Sequence, residues 1–153
     1  MALVMRGRNV SAWILVPGAL AMLGVAPAQS PTLPWPYSPL LDAVSAAPKS
    51  HRVLLENDHV RVLEVVVQPG QKEPIHTHRW PSVLQVTSAA QLRYFRATLA
   101  EGKWTETPAD GNVPSISMNT RAVQYLEPEG PHAVENVGGT TYRATRVEIK
   151  DRT

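Results

Sequence analysis

Turn-forming residues punctuate the chain about every ten residues from His51 onward, with short runs of β-formers between them. The turns include Asn57-Asp58, Pro69-Gly70 and Gly138-Gly139, whose residue types suit tight reversals. No helical 3.6-residue period of useful length follows residue 50, so the sequence predicts an all-β, antiparallel domain. We expect its strands at residues 52–55, 60–67, 75–78, 82–87, 91–97, 103–106, 122–126, 132–137 and 142–149, with a loop over 108–114.

The segment before this domain is rich in proline. Prolines at positions 31, 34, 36, 39 and 48 prevent a regular ladder or a long helix. Ser38 and Pro39 suit the N-cap and first position of one short helix that extends through Ala46. We therefore predict a proline-rich leader over residues 29–50 and a β-domain over residues 51–150.

The first residues have the pattern of a targeting signal. Arg6 and Arg8 precede an apolar run over residues 10–25, which ends in the small residues Ala26-Pro27-Ala28. The run is interrupted by a Pro-Gly pair and is shorter than the roughly 20 residues that a spanning helix needs. We expect residues 1–28 to be a cleaved, bacterial-type signal peptide. The protein would then be periplasmic or secreted, with no stable membrane span after cleavage.

The charge balance changes when the predicted signal is removed. The full chain of 153 residues has 15 Lys and Arg against 13 Asp and Glu. Cleavage removes two arginines and no acid, because the first acidic residue is Asp42, and leaves 13 of each sign. A neutral chain does not support a basic nucleic-acid surface, so we expect a small-molecule partner and no nucleic acid. The chain has no cysteine, so burial or a metal must hold the core together.

Three histidines lie in contexts that suggest a shared site. In His76-Thr77-His78 the period of two along a strand directs both imidazoles to one face. His132 opens another predicted strand more than fifty residues later. If the two strands are neighbours, the three imidazoles can bind one ion and leave coordination positions open. His51 and His59 begin strands without a matched partner, so we expect both at the surface.

With these histidines in place, residues 51–149 resemble the cupin superfamily. Three residues fall on positions of its first motif: Gly70, His76 and His78. Four match its second motif, with one residue fewer than usual before the histidine: Pro128, Gly130, His132 and Asn136. The resemblance implies a β-barrel or jelly roll of cupin type that binds a metal through the three histidines. It also admits a homodimer, since cupins often pair through their outer strands.

The sequence departs from the first motif at two positions. Ser82 stands where cupins have a glutamate, and Ala89 stands in place of the closing glycine. A serine hydroxyl stays protonated at neutral pH and is a poor ligand, so three alternatives are open. The site holds a metal with three histidines only, as in cupins resembling the thiol dioxygenases; or another carboxylate such as Glu73 completes it; or the metal has been lost and the barrel binds an organic ligand.

A metal held by neutral imidazoles keeps its full 2+ charge and favours an anionic ligand. Iron, manganese, nickel, copper and zinc all accept imidazole, so the sequence leaves the ion's identity open. Arg79 and Trp80 follow the histidine pair and are the predicted clamp and apolar wall for a small anionic substrate. Asn136 is expected to support a turn through backbone hydrogen bonds, and Ser82 is assigned a supporting place beside the metal.

Two functions follow from this set of residues. The first is a metal-dependent, dioxygenase-like enzyme that acts on a small anionic molecule. The alternative is a non-enzymatic β-barrel that binds a small ligand or a metal. A weaker third interpretation is an assembly protein that uses the barrel as a scaffold, because the superfamily hosts many chemistries.

Overall fold

A computed structural model describes residues 34–112, 116–117 and 123–150 of the chain. The predicted signal peptide, residues 1–28, lies outside these ranges. None of the helices in the described part of the chain has the length and apolarity to cross a bilayer.

The described residues form ten strands. In chain order they are β1 (His51–Glu56), β2 (Val60–Val67), β3 (His76–His78), β4 (Ser82–Ser88), β5 (Gln91–Ala100), β6 (Lys103–Asn112), β7 (Ile116–Ser117), β8 (Val123–Leu126), β9 (Glu129–Asn136) and β10 (Tyr142–Ile149). Nine of them overlap the nine predicted strands, and β2 and β10 match their predicted bounds. The predicted loop over residues 108–114 is partly wrong, because β6 continues to Asn112 and Pro108 pairs with Phe95 of β5.

The strands make two antiparallel sheets. One has the order β1-β2-β10-β4-β8, and the other has the order β3-β9-β5-β6 with β7 also paired to β5. Every pairing between these strands is antiparallel. The predicted all-β, antiparallel barrel is therefore confirmed. Because β3 pairs with β9, His76 lies opposite His132 in the register.

The core is built by the inward faces of the strands. Along β2, residues 61, 63, 65 and 67 are buried, and along β10 residues 142, 144, 146 and 148 are buried. The apolar members of these faces join residues from β4 and β5 in one cluster, which comprises Leu63, Val65, Val67, Leu84, Val86, Ala90, Leu92, Tyr142 and Ala144. Arg61, Arg146 and Glu148 lie on the same inward faces, so the strands also carry charges into the interior.

Residues 34–50 belong to the same compact unit as the strands. The short helix predicted from Ser38 to Ala46 forms as two pieces, a 3₁₀ turn over Pro39–Leu41 and the helix α1 over Ala43–Ala46. Asp42 separates them and caps α1 by accepting a hydrogen bond from the backbone of Val44. It also bridges the backbone of Thr77 in β3, which joins this segment to the strand that carries two of the histidines.

Candidate metal centre and cavity

Four buried histidines meet inside the barrel. His76 and His78 come from β3, His132 from β9 and His51 from the start of β1, and each is at most 3% exposed. The prediction that His51 lies at the surface is wrong. It is drawn inward because the backbone bonds of residues 50 and 51 to Ala47 join β1 directly to the end of α1. His59 is exposed, as expected.

The imidazole rings are close neighbours. The ring centroids of His76 and His132 are 4.3 Å apart, those of His51 and His76 are 4.7 Å apart, and those of His76 and His78 are 5.3 Å apart. His132 and His78 are 5.7 Å apart. The three predicted ligands are thus brought to one place, together with a fourth imidazole that the sequence did not indicate.

The Nδ1 atoms of three of these rings already have partners. His76 Nδ1 donates to the carbonyl of Pro74 at 2.9 Å, and His132 Nδ1 donates to the carbonyl of Gly130 at 2.8 Å. His78 Nδ1 lies 2.7 Å from a carboxylate oxygen of Glu148. A carbonyl can only accept, so His76 and His132 must carry the proton on Nδ1, which leaves Nε2 as a free lone pair. This is the arrangement that metal-binding imidazoles commonly have.

Burial keeps these rings neutral. Desolvation, followed by the charge of His132, lowers the pKa of His76 to about 3, and desolvation lowers the pKa of His132 to about 4. The pKa values of His51 and His78 are also well below the ordinary value for the same leading cause. Neutral imidazole is the form that binds a metal, so the cluster is in its ligand form at neutral pH.

Two carboxylates besides Glu148 lie beside the imidazoles. One group of ligand atoms within 4.8 Å of one another comprises His78, Glu129 and His132, and another comprises His51, His76 and His78. Glu73 Oε1 lies 3.6 Å from His51 Nδ1. Burial raises the pKa of Glu73 to about 7, so much of it is protonated near neutrality. Glu129, which the sequence did not single out, is therefore the better-placed carboxylate ligand.

A chain of buried ion pairs begins at the Nδ1 atom of His78. Glu148, fully buried, accepts from Arg61 Nε at 2.5 Å through its second oxygen. Arg61 in turn donates through both of its terminal nitrogens to Asp42, at 2.9 and 2.8 Å. Burial raises the pKa of Glu148, and the Arg61 guanidinium opposes that shift. The orientation of His78 thus depends on a network that reaches the segment before β1.

The histidines line a cavity of about 160 Å³. Its other polar lining residues include Glu73, Tyr94, Glu129 and Arg146, and its apolar lining comprises Val65, Val67, Leu84, Leu92, Leu126 and Val134, with Tyr142. The Tyr94 ring stacks on His132 at 4.9 Å. Tyr94 is thus part of the cavity wall beside a proposed ligand.

The predicted substrate clamp lies elsewhere. Arg79 is exposed and sits over the Trp80 ring at 5.0 Å, and neither residue lines the histidine cavity. They line a separate depression that also includes Arg61 and Asp42. Since His78 points inward, the residue after it points outward, and this alternation corrects the expectation for Arg79. Arg146 is the arginine that the structure places at the cavity.

The two supporting residues have different surroundings. Asn136 donates from Nδ2 to the carbonyls of Val67 and Thr140, and its Oδ1 accepts from the backbone of Gly138. This is the backbone role expected of it. Ser82 is fully buried, does not line the cavity, and its hydroxyl has no hydrogen-bond partner among the described residues. Glu148 is its register partner on β10, so a carboxylate stands next to the position where cupins have glutamate.

No family model and no curated protein matches the sequence. Solved structures do match, and several of them are described as cupins. A cupin domain from Bordetella pertussis is 18% identical over 66% of this chain and 92% of its own length, with a TM-score of 0.49. A cupin family protein from Methanocaldococcus jannaschii, with a double-stranded β-helix fold, is 13% identical over 65% of this chain and 78% of its own, with a TM-score of 0.41.

Oxalate decarboxylase from Bacillus subtilis is a further match. It is 18% identical over 61% of this chain and 22% of its own length, with a TM-score of 0.41. What the barrel of this chain can do follows from its own side chains.

The cluster fits a divalent transition metal. Four neutral imidazoles are buried together, and two of them, His76 and His132, have tautomers that leave Nε2 free. Uncharged imidazole nitrogens are ligands that suit zinc, copper, iron and nickel. A divalent transition metal is thus compatible with this site, while the donor set does not select one ion.

Proposed function

We propose that this chain is an exported, metal-binding cupin-like protein that holds a divalent transition metal on its buried histidines and takes a small anionic molecule into the adjoining cavity. His76, His78 and His132 are the proposed ligands, with His51 and Glu129 as further donors. One observation carries the proposal: three neutral imidazoles from two strands, those of His76, His78 and His132, converge in the interior with their Nδ1 atoms already committed to other partners.

The surroundings favour an anion as the second ligand. The imidazoles bring no charge, so the ion keeps its positive charge apart from any contribution of Glu129. Arg146 adds a buried cation to the same cavity. In a site of low polarity, an anionic ligand interacts more favourably with such positive charge than a neutral ligand does.

An oxygen-using enzyme is the reaction class that we propose for this site. When bound, a redox-active ion such as iron supplies the chemistry for oxygenating a substrate. The chain itself supplies the surroundings: Tyr94 and Glu129 flank His132, and the buried imidazoles stay neutral. The alternative, a binding barrel without turnover, uses the same cavity and the same ligands.

Metal content tests the proposal directly. Protein purified without a metal-affinity column should contain near-stoichiometric transition metal by elemental analysis, and His132→Ala should lose most of it. His59→Ala is the matched control, because His59 is the exposed histidine of the described chain. Metal-free wild-type protein, or a His132→Ala variant that keeps its metal, would contradict the proposal.

Oxygen consumption separates the enzyme from the binder. Iron-restored protein is given thiols, phenols and diketones in turn, and His132→Ala is run in parallel. Substrate-dependent oxygen uptake that the variant lacks supports the dioxygenase-like reaction. Uptake at equal rates with both proteins, or none with any substrate class, favours the binding protein.

A further inference from the structure

Arg146 is a buried cation whose hydrogen-bonding capacity is largely unused. Its side chain is 5% exposed. One terminal nitrogen, Nη1, pairs with Glu129 at 2.7 Å, while Nε lies 4.0 Å from Glu148. Among the described residues, neither Nη2 nor Nε has a hydrogen-bond acceptor. Buried guanidinium donors are normally satisfied, so the unused donors indicate an acceptor supplied from outside the chain.

The position of Arg146 decides where that acceptor would lie. The residue lines the same cavity as the four histidines. Its partner Glu129 has a carboxylate oxygen within 4.8 Å of ring nitrogens of His78 and His132. A group bound by the free donors of Arg146 is therefore held next to the imidazoles. The planar guanidinium matches the two oxygens of a carboxylate, which it can bind through parallel hydrogen bonds.

The rest of the cavity limits the size and polarity of the ligand. Beyond the polar groups its wall is formed by aliphatic side chains of the core, among them Val65, Val67, Leu84 and Leu92. The volume is about 160 Å³, and an apolar cavity of about 150 Å³ accommodates benzene. A polyanion or a sugar would leave its polar groups facing these aliphatic residues without partners.

We propose that the cavity binds a small monocarboxylate with an apolar body about the size of a benzene ring, and that Arg146 holds its carboxylate. This deepens the function proposed above by naming the ligand class, and it rests on that function only in placing the carboxylate beside a metal. Arg146 can bind the carboxylate without the metal ion, so the proposed ligand class and the proposed metal can be tested separately.

Benzoate is the probe, and binding is measured by calorimetry on the full chain, both chelator-treated and metal-reconstituted. Benzyl alcohol and benzamide have similar shapes without the charge, and 2-naphthoate has the charge with a larger body. A hydrogen bond to a charged group is worth enough to change affinity about tenfold to hundredfold. We expect benzoate to bind at least tenfold more tightly than each of the other three. Equal affinity for the neutral probes or for 2-naphthoate overturns the proposal.

Variants assign the effect to the residue. Arg146→Gln should weaken benzoate binding by tenfold or more in metal-free protein, and Arg79→Gln, on the exposed arginine outside the cavity, should leave it unchanged. Arg146→Lys keeps the charge without the planar pair of donors, so its affinity for benzoate should lie between those of the wild type and Arg146→Gln. This variant also tests the assignment if Arg146→Gln is too unstable to measure. Benzoate binding that survives both Arg146 variants, or that falls with Arg79→Gln, overturns the assignment.

Metal content measured on the same samples keeps the two failures distinct. Loss of benzoate binding on chelation alone, with Arg146→Gln unaffected, would overturn the role of Arg146 and leave the metal proposal intact. Benzoate binding that depends on Arg146 in a protein without transition metal would support this inference and contradict the proposed metal.

Discussion

Glu148→Gln removes the charge that links His78 to the arginine behind it. The wild-type carboxylate faces two donors, Arg61 Nε at 2.5 Å and His78 Nδ1 at 2.7 Å. Glutamine has one acceptor oxygen and one NH₂ group. When the oxygen accepts from Arg61, the NH₂ group faces His78 Nδ1, which either stays an opposed donor or moves its proton to Nε2 and so loses the lone pair proposed to bind the metal. The buried site gives that donor no water to turn to, since Glu148 is fully buried.

The loss of folding stability in Glu148→Gln can be derived from this geometry. Breaking a buried ion pair by changing one partner costs about 3–5 kcal/mol. Arg61 keeps both bonds to Asp42, and burial already opposes the charge on Glu148, as its raised pKa indicates. Both effects reduce the cost of the substitution, so we expect the free energy of unfolding to fall by about 3 kcal/mol, the lower limit of that range. Loss of the partner that orients a ligating imidazole typically weakens metal binding by about 10–100-fold.

Denaturant unfolding of the metal-free protein measures the first quantity, and competition with a chelator measures the second. Glu64→Gln is the matched control, because Glu64 pairs with Arg52 at a site where the side chains are 34% and 69% exposed. Such surface pairs contribute about 0–1 kcal/mol. If Glu148→Gln is no more destabilising than Glu64→Gln and binds metal as tightly as wild type, the interpretation of the buried network is refuted.

Three further predictions concern pH, the core and export. The lowered pKa values of His76 and His132 mean that the unfolded chain binds protons first, so metal-free protein should lose stability as pH falls from about 6.5 toward 4. Glu73, with its pKa raised to about 7, opposes this trend between pH about 4.5 and 7, so Glu73→Gln should steepen the loss in unfolding titrations. Leu63→Ala, at a fully buried core position, should cost about 2–5 kcal/mol in denaturant unfolding, and an unchanged midpoint would contradict the core assignment. Expressed in a bacterium, the full chain should be recovered from the periplasm or medium with Gln29 as its first residue by mass spectrometry; an intact N-terminus would contradict cleavage.

The strand pattern was readable because alternation and turns are local properties. β2 and β10 match their predicted bounds, since each alternates cleanly between the inward and outward faces. The extension of β6 past Glu106 was not predictable from local composition, because Thr107 and Pro108 pair with Arg96 and Phe95 of β5. Tertiary pairing overrides the weak local preference for a loop there.

The site was readable only in part. His76 and His78 share a face by their spacing, and the match to a family motif brought in His132. The inward place of His51 follows from its bonds to Ala47 after α1, a contact that spacing does not reveal. The sequence also contained a pattern that could have indicated Arg146. By alternation along β10, Arg146 shares a face with Tyr142, Ala144 and Glu148. Two opposite charges on the apolar face of a strand indicate a buried pair.

The contacts that Asp42 makes have a practical consequence for any shortened form of the protein. Asp42 caps α1, bridges β3 and holds Arg61, while Ala43 and Ala47 beside it are almost completely enclosed. A gene trimmed to start at the first strand would remove one of the two carboxylates that pair with Arg61 and would uncover the part of the barrel beside β1 and β3. Expression designs and affinity tags should therefore be joined upstream of Pro34, where the compact unit begins.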